Sequence, residues 1–352
     1  MYIELNSHHL SLPRKRFETS SGVKEIAEVF VVEARYKSFI GLGSGTPANS
    51  IGDSVSACMK GLMRAKDMQI DPETYFDEEI ELDVRDISPA AAAALDIAMW
   101  DLRSKLNGVS LAACLGGSQR EVPTDATIDI RHPDEAGRDA SALSKEGFRS
   151  FKVKVGKSLI EDLERTKAVR EAVGPKVNIF VDANGGYDFE KALEFWEKAS
   201  FLDLDFFEQP VPQDRMEELA ALRKRGVRVC ADESVVNEES LERAIDLEAA
   251  DIVNIKLMKC GGIGTAIEMA GMAGDAGLEI MMGCMGDIGV SIAAAAHFAC
   301  AIDAEYVDLD SHLNIAPVCD GPEVKKGSIQ LKEEPGHGVH LVGDWKNYRA
   351  PD

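Results

Sequence analysis

Two stretches near the N-terminus, Tyr2 to Leu12 and Ile26 to Tyr36, have the residue pattern of β-strands. The polar loop RKRFETSSGVK is expected to join them. Residues 50–66 and 89–106 carry helical patterns, and Pro89 directly after Ser88 is a helix-start signal. Between strands and helices lies GLGSGTPAN, at 41–49. No GK[ST] follows it and it does not run straight into a helix, so it reads as a mobile loop over a site and not as a phosphate cradle. Residues 1–120 therefore read as an α+β domain.

From Val122 onward the pattern becomes regular. Short apolar strands alternate with amphipathic helices: PTDATIDI, FKVKVG, NIFVDAN, LDFFEQP, RVCADES, DIVNIKL, EIMMGC and YVDLD, each but the last followed by a helix-like segment. Eight strands and seven helices at this spacing are expected of parallel strands with crossovers. A doubly wound open sheet is the competitor, but the count and regularity favour a modified TIM barrel of (β/α)7β form over residues 121–315. Residues 316–352 lose the pattern and are expected to return to the first domain.

Composition narrows the class. The 352 residues hold 39 Lys plus Arg against 61 Asp plus Glu, a net charge of -22. Such a chain does not suit nucleic acid or an anionic membrane as partner. Its seven cysteines (Cys58, Cys114, Cys230, Cys260, Cys284, Cys300 and Cys319) form no CxxC pair and read as reduced thiols. The N-terminus lacks an export-type apolar region, and the Ala-rich runs broken by Asp96 and His297 are too short for a bilayer. The expectation is a cytoplasmic protein with a small-molecule substrate. Homo-oligomerisation is left open.

Chemistry in such a barrel belongs at the C-terminal strand ends. Those ends carry Lys152 and Lys154 on strand two, Asp182 on three, Glu208 on four, Asp232 on five, Lys256 on six, and Asp308 and Asp310 on eight. A lone acidic strand end is ordinarily a helix cap, and two lysines at i and i+2 could lie on an edge strand in water. Three carboxylates in successive units, with lysines on either side, are hard to ascribe to capping. They are the ligand set of a hard divalent cation such as Mg2+, and without one they would repel each other. Strands two and six lie opposite in an eight-membered ring, so Lys154 and Lys256 should flank whatever the cation holds. One amine could remove an α-proton from a carboxylate substrate while the other returns one to the opposite face. Lys152 is expected to ease deprotonation of Lys154 through its neighbouring charge.

The motifs KVKVG, DANGGY, EQP, ADES and NIKLMKCGGI, with ALDIAMWDL at 94–102, resemble the enolase superfamily, specifically its muconate-lactonising subgroup. Lysine bases, Mg2+ and an enediolate are the known chemistry of that superfamily. The resemblance implies metal ligands Asp182, Glu208 and Asp232, acid/bases Lys154 and Lys256, and Lys152 as support for the substrate carboxylate. Asp308-Leu309-Asp310 resembles the Asp-x-Asp with which dipeptide epimerases hold a substrate's N-terminal ammonium. Mg2+-dependent dipeptide epimerisation is therefore the expected activity. An o-succinylbenzoate synthase, an N-succinylamino acid racemase and a muconate cycloisomerase are the alternatives. Specificity is expected from loops 17–24 and 41–50. Gly22 stands near the place where Ala-Glu-type members present an arginine, with Lys24 close by. Glu18 or Glu25 could instead favour a cationic side chain. Asp287, in GCMGDIG after strand seven, could line the pocket or cap the next helix.

Overall fold

The computed structural model describes residues 2–350 apart from 69, 72–84 and 119. Its first unit is an antiparallel sheet of β1 (Glu4–Thr19), β2 (Gly22–Tyr36) and β3 (Phe39–Gly45), packed on α1 (Val55–Lys66) and α2 (Pro89–Asn107). The expected loop at 14–24 is instead the far end of this hairpin. Phe17 pairs with Lys24, Glu18 with Val23 and Thr19 with Gly22, and an irregularity between Pro13 and Phe17 absorbs the mismatch. Strand pairing satisfies the backbone here, so the side chains need not be apolar.

The expected mobile loop at 41–49 is a second correction, because most of it is β3 and buried. A Cβ on Gly41, Gly43 or Gly45 would lie 2.0, 2.0 or 2.1 Å from the carbonyl oxygens of Ala98, Ala94 and Ala90. Glycine at every second strand position faces alanine at every fourth helix position, and the two backbones meet almost directly. That contact covers one face of α2, and most residues on its other faces are buried too. Ser88 caps its N-terminus by accepting from the Ala91 N–H at 3.1 Å.

A short helix α3 (Leu111–Cys114) and strand β4 (Glu121–Pro123) lead into the barrel. Its strands are β5 (Ala126–Ile128), β6 (Ser150–Lys154), β7 (Asn178–Asp182), β8 (Phe207–Glu208), β9 (Val229–Ala231), β10 (Ile252–Ile255), β11 (Glu279–Gly283) and β12 (Tyr306–Asp308). They run parallel in sequence order. The ring closes where the Asp125 N–H donates to the Val307 carbonyl at 3.0 Å. Helices α4 (Pro133–Glu146), α5 (Leu159–Val173), α6 (Phe189–Lys198), α7 (Met216–Lys224) and α8 (Glu238–Asp246) fill the first five crossovers. A single turn, α9 (Leu257–Cys260), precedes α10 (Ile263–Asp275), and α11 (Gly289–Ile302) completes the set.

After β12 the chain pairs β13 (Glu323–Lys325) with β14 (Ser328–Gln330), and β14 with β4. Ile315, Val318 and Val339 pack with Leu10, Leu12 and Val29 of the hairpin. Asp101 of α2 joins these parts: it accepts from the Leu42 N–H at 2.8 Å and the His337 N–H at 2.9 Å. All seven cysteines are unbridged. No helix among the described residues is long and apolar enough to cross a membrane.

Candidate active site

Register, not loop conformation, brings the ionisable strand ends together. Lys154 is level with Asp182 across β6 and β7, and Asp182 is level with Glu208 across β7 and β8. Glu208 is level with Cys230, and Asp232 follows two residues on. Lys256 is the residue after β10, four strands round the ring from β6. Inward alternation along each strand then puts all of these side chains on the barrel's interior face. Lys152, Lys154, Asp182, Glu208, Asp232, Lys256, Asp308 and Asp310 are all buried.

The lysines and carboxylates interleave. The Lys152 ammonium lies 2.7 Å from Asp308, 2.8 Å from Glu208 and 3.0 Å from Asp182. Lys154 pairs with the Asp182 carboxylate. Lys256 donates to Asp232 at 2.6 Å. Lys259 donates to the other Asp232 oxygen at 2.6 Å, to the Asp232 carbonyl at 2.6 Å and to the Asn254 carbonyl at 2.8 Å. Asn254 in turn donates to Glu208 Oε1 at 2.9 Å, whereas Glu208 Oε2 has no hydrogen-bond partner. The short Lys152–Glu208 approach is thus an ion pair without hydrogen-bonding geometry.

These contacts set the charges. Burial pushes Lys152 toward neutrality, but Asp182, Asp308 and Glu208 outweigh it and hold its pKa well above the ordinary value. Lys256 is likewise desolvated and yet raised, mainly by Asp232, while Lys152 acts in the lowering sense. Lys152 thus opposes protonation of Lys256, but the carboxylate contact is stronger. Burial, and then the charge of Asp182, push Glu208 up to about 8. Burial would raise Asp232 too, but Lys256 and Lys259 pull it below the usual carboxylate range.

The donor set fits a hard divalent cation in kind: three buried carboxylates from successive strands, one with an oxygen that accepts no hydrogen bond. In placement it is looser than expected. Among the described residues, the three-donor group whose ligand atoms all lie within 4.8 Å of one another is Cys284, Asp308 and Asp310, not the strand-three to strand-five trio. Asp182 and Asp232 are drawn onto lysines, so a shared ion would have to displace those contacts.

The strand-eight pair caps nothing. Asp308 binds Lys152, and Asp310 accepts from the Thr127 N–H at 2.7 Å. Burial and Asp308 push Asp310 up to about 6. Asp287 does not cap α11 either; it accepts from the Met285 N–H at 3.1 Å and leaves Oδ1 without a partner. Above the ring, Glu18 is tied to Lys157 at 2.5 Å and to Arg16, so its charge is already matched. Glu25 is exposed. Gly22 sits at the hairpin turn with φ 133, and a Cβ there would meet nothing within 4 Å. Lys24 makes no ion pair or hydrogen bond among the described residues. It is exposed, like Glu25, and the nearby positive charges of Arg14, Lys154 and Lys256 act to lower its pKa.

Several supporting residues lay beyond the strand-end reading. Gln209 accepts from the N–H groups of Asp232 at 3.0 Å and Ser234 at 3.1 Å, and donates to the Val211 carbonyl and Ser234 hydroxyl. It thereby ties the Glu208 strand end to the Asp232 strand end. Its φ of 36 and that of Asn184, 44, lie in the left-handed region directly after or near an acidic strand end. Lys259 was the legible omission, since NIKLMK places a second lysine three residues after Lys256.

Comparison with known proteins agrees with this architecture. The family model described as "Enolase C-terminal domain-like" matches residues 135–345. The L-Ala-D/L-Glu epimerase of Clostridium acetobutylicum is 33% identical over 349 residues, 96% of this chain and 98% of that one. The crystal structure of the N-succinyl Arg/Lys racemase from Bacillus cereus superposes with a TM-score of 0.91 at 29% identity, covering 99% of this chain and 98% of the other. The dipeptide epimerase from Enterococcus faecalis V583, complexed with Mg and the dipeptide L-Leu-L-Tyr, gives a TM-score of 0.90 at 29% identity, covering 96% and 99%. The chain belongs to the enolase superfamily, in its muconate-lactonising subgroup.

Proposed function

We propose that this protein is a dipeptide epimerase, an isomerase that inverts the α-carbon of a dipeptide's C-terminal residue. The observation that carries the reading is the opposition of Lys154 and Lys256 from strands four apart, with Asp308 and Asp310 at the ring's closing seam. A substrate carboxylate lying between the lysines presents one face of its α-carbon to each. Two aspartates on strand eight suit a positive group at the far end of the same small zwitterion.

In the proposed reaction one lysine, as the neutral amine, takes the α-proton. The other, as ammonium, delivers a proton to the opposite face, and the two exchange protonation states with each turnover. For a lysine of ordinary pKa, being neutral at pH 7 costs about 5 kcal/mol. Asp182, Glu208 and Asp232 would hold Mg2+, the ion in the E. faecalis complex, and it would supply stabilisation of the second negative charge on the enediolate. Lys152, fixed against Asp182, Glu208 and Asp308, presents permanent positive charge toward the substrate carboxylate.

The likeness to the B. cereus racemase favours a second reading, an N-succinylamino acid racemase. The α-nitrogen of its substrates is acylated, so they present no α-ammonium to Asp308 and Asp310. A panel of dipeptides with acidic, basic and apolar C-terminal residues, together with the matching N-succinylamino acids, incubated with Mg2+ in D2O, decides between them. Deuterium at the C-terminal α-carbon with inversion supports the proposal. Exchange confined to N-succinylamino acids, or to no substrate at all, overturns it.

A further inference from the structure

The two opposed lysines are anchored by different devices. The Lys256 carbonyl accepts from the N–H groups of Lys259 at 2.9 Å and Cys260 at 3.2 Å, so the turn α9 holds that residue's backbone. Lys154 has no helix directly behind it. Its chain leaves β6 through Val155, Gly156, Lys157 and Ser158 before α5 begins.

That passage is gathered onto one buried carboxylate. Asp162 Oδ2 accepts from the N–H groups of Gly156, Lys157 and Ser158 at 2.9, 3.0 and 3.1 Å, and from the Tyr187 hydroxyl at 2.6 Å. Asp162 Oδ1 pairs with the Arg165 guanidinium. Arg165 Nε then donates to the carbonyl of Lys154 itself at 3.3 Å. Asp162, Arg165 and Tyr187 are 0%, 1% and 2% exposed. A buried ion pair is a weak device for stability alone, because desolvation offsets most of its attraction. Its value is directional: it fixes where the groups it binds can lie, and here it binds the backbone of Lys154 and of the residues just after it.

We infer that Asp162, Arg165 and Tyr187 form a positioning unit for Lys154 and not for Lys256. The inference rests on the two-base reading above and makes it asymmetric. Exchange of an α-proton without inversion needs only the lysine on that proton's face, whereas inversion needs both. Loosening Lys154 therefore impairs inversion in both directions and retention-exchange of one epimer. Retention-exchange of the other epimer, served by Lys256, is spared.

The test compares wild type with Arg165→Lys and the milder Tyr187→Phe, each with Mg2+ in D2O. Initial-rate deuterium incorporation is measured separately from each epimer of a turned-over dipeptide. A second arm follows backbone amide exchange by mass spectrometry in peptides spanning 154–158 and 256–260. Expected for Arg165→Lys is a loss of about tenfold or more in inversion and in one epimer's exchange, with the other within about twofold, since small misplacement of a reacting group has effects of that size. Tyr187→Phe should show the same asymmetry, reduced. Amide exchange should quicken at 154–158 and stay unchanged at 256–260. Equal losses for both epimers, or unaltered amide exchange at 154–158, overturn the inference. If wild type exchanges no dipeptide, the functional reading fails, and the amide-exchange arm alone decides whether the unit holds Lys154.

Discussion

Lys152 donates to Asp308 at 2.7 Å across the seam of the barrel, joining the strand that carries one proposed base to the strand proposed to read the substrate's amino end. The same ammonium also lies against Asp182 and Glu208, so removing the Asp308 charge does not leave it unpaired. Asp308→Asn should therefore lower kcat/KM for dipeptides by roughly a hundredfold, the scale of losing one buried charge-assisted contact. Any activity on N-succinylamino acids should change little. Parallel loss on both substrate classes would mean that Asp308 serves Lys152 and not the ammonium.

The Glu208 oxygen that accepts no hydrogen bond gives a binding prediction that needs no turnover. Mg2+ should stabilise the wild-type fold by about 2.7 kcal/mol at a hundred times its Kd, following mass action. Glu208→Gln should largely abolish that increment in calorimetry or denaturant titration. An undiminished increment in the variant would place the ion elsewhere, with the cluster of Cys284, Asp308 and Asp310 the first place to look.

Two buried histidines where α11 meets the C-terminal segment give a pH dependence of stability. His297 Nδ1 accepts from the Ala112 N–H at 3.0 Å, and His337 Nδ1 accepts from the Val339 N–H at 3.1 Å. Each ring is thereby held neutral, with its Nε2–H turned to a carbonyl, of His337 and of Leu42 respectively. Burial, followed by His337, lowers His297 to about 4. A histidine with a depressed folded pKa binds its proton more readily when unfolded. Its contribution is complete above the unfolded value of 6.5 and is lost as pH falls from there toward 4. His297 alone accounts for about 3 kcal/mol across that window. Urea titrations at pH 7.5 and 5 should show a smaller loss for His297→Gln than for wild type, and identical slopes would refute the assignment.

The close contact of β3 with α2 predicts that Gly43→Ala destabilises by about 2 kcal/mol or more, because backbone and not a flexible side chain must move. Thermal melts compare it with Gly22→Ala, where a Cβ meets nothing but the φ of 133 is strained. A Gly43→Ala protein as stable as wild type would contradict the contact.

What the sequence made legible and what it hid divide along physical lines. The barrel was readable because each βα unit repeats one local pattern, and the acidic and basic strand ends were readable because a buried charge departs from that pattern. GLGSG was misread because glycine in a strand lacks the side-chain alternation that marks strands; its reason lies in the carbonyls of α2, some fifty residues away. The hairpin end at 14–24 was misread because its pairing is made by backbone and its side chains are polar. Gln209 acts on Asp232 and Ser234 of the next strand end, which only the folded chain brings near. Asp162 and Arg165 lie close in sequence to most of their partners, but a charged pair at i and i+3 reads as an ordinary solvated helix face, and nothing in the pattern marks it as buried.

The two-base arrangement is tested most directly by Lys154→Met and Lys256→Met, with α-deuterium incorporation measured from each dipeptide epimer in D2O. Each variant should fail to invert, and each should keep exchanging one epimer, the opposite one in the two cases. Inversion surviving in either variant, or both variants sparing the same epimer, would contradict a substrate held between amines on opposite sides of the ring.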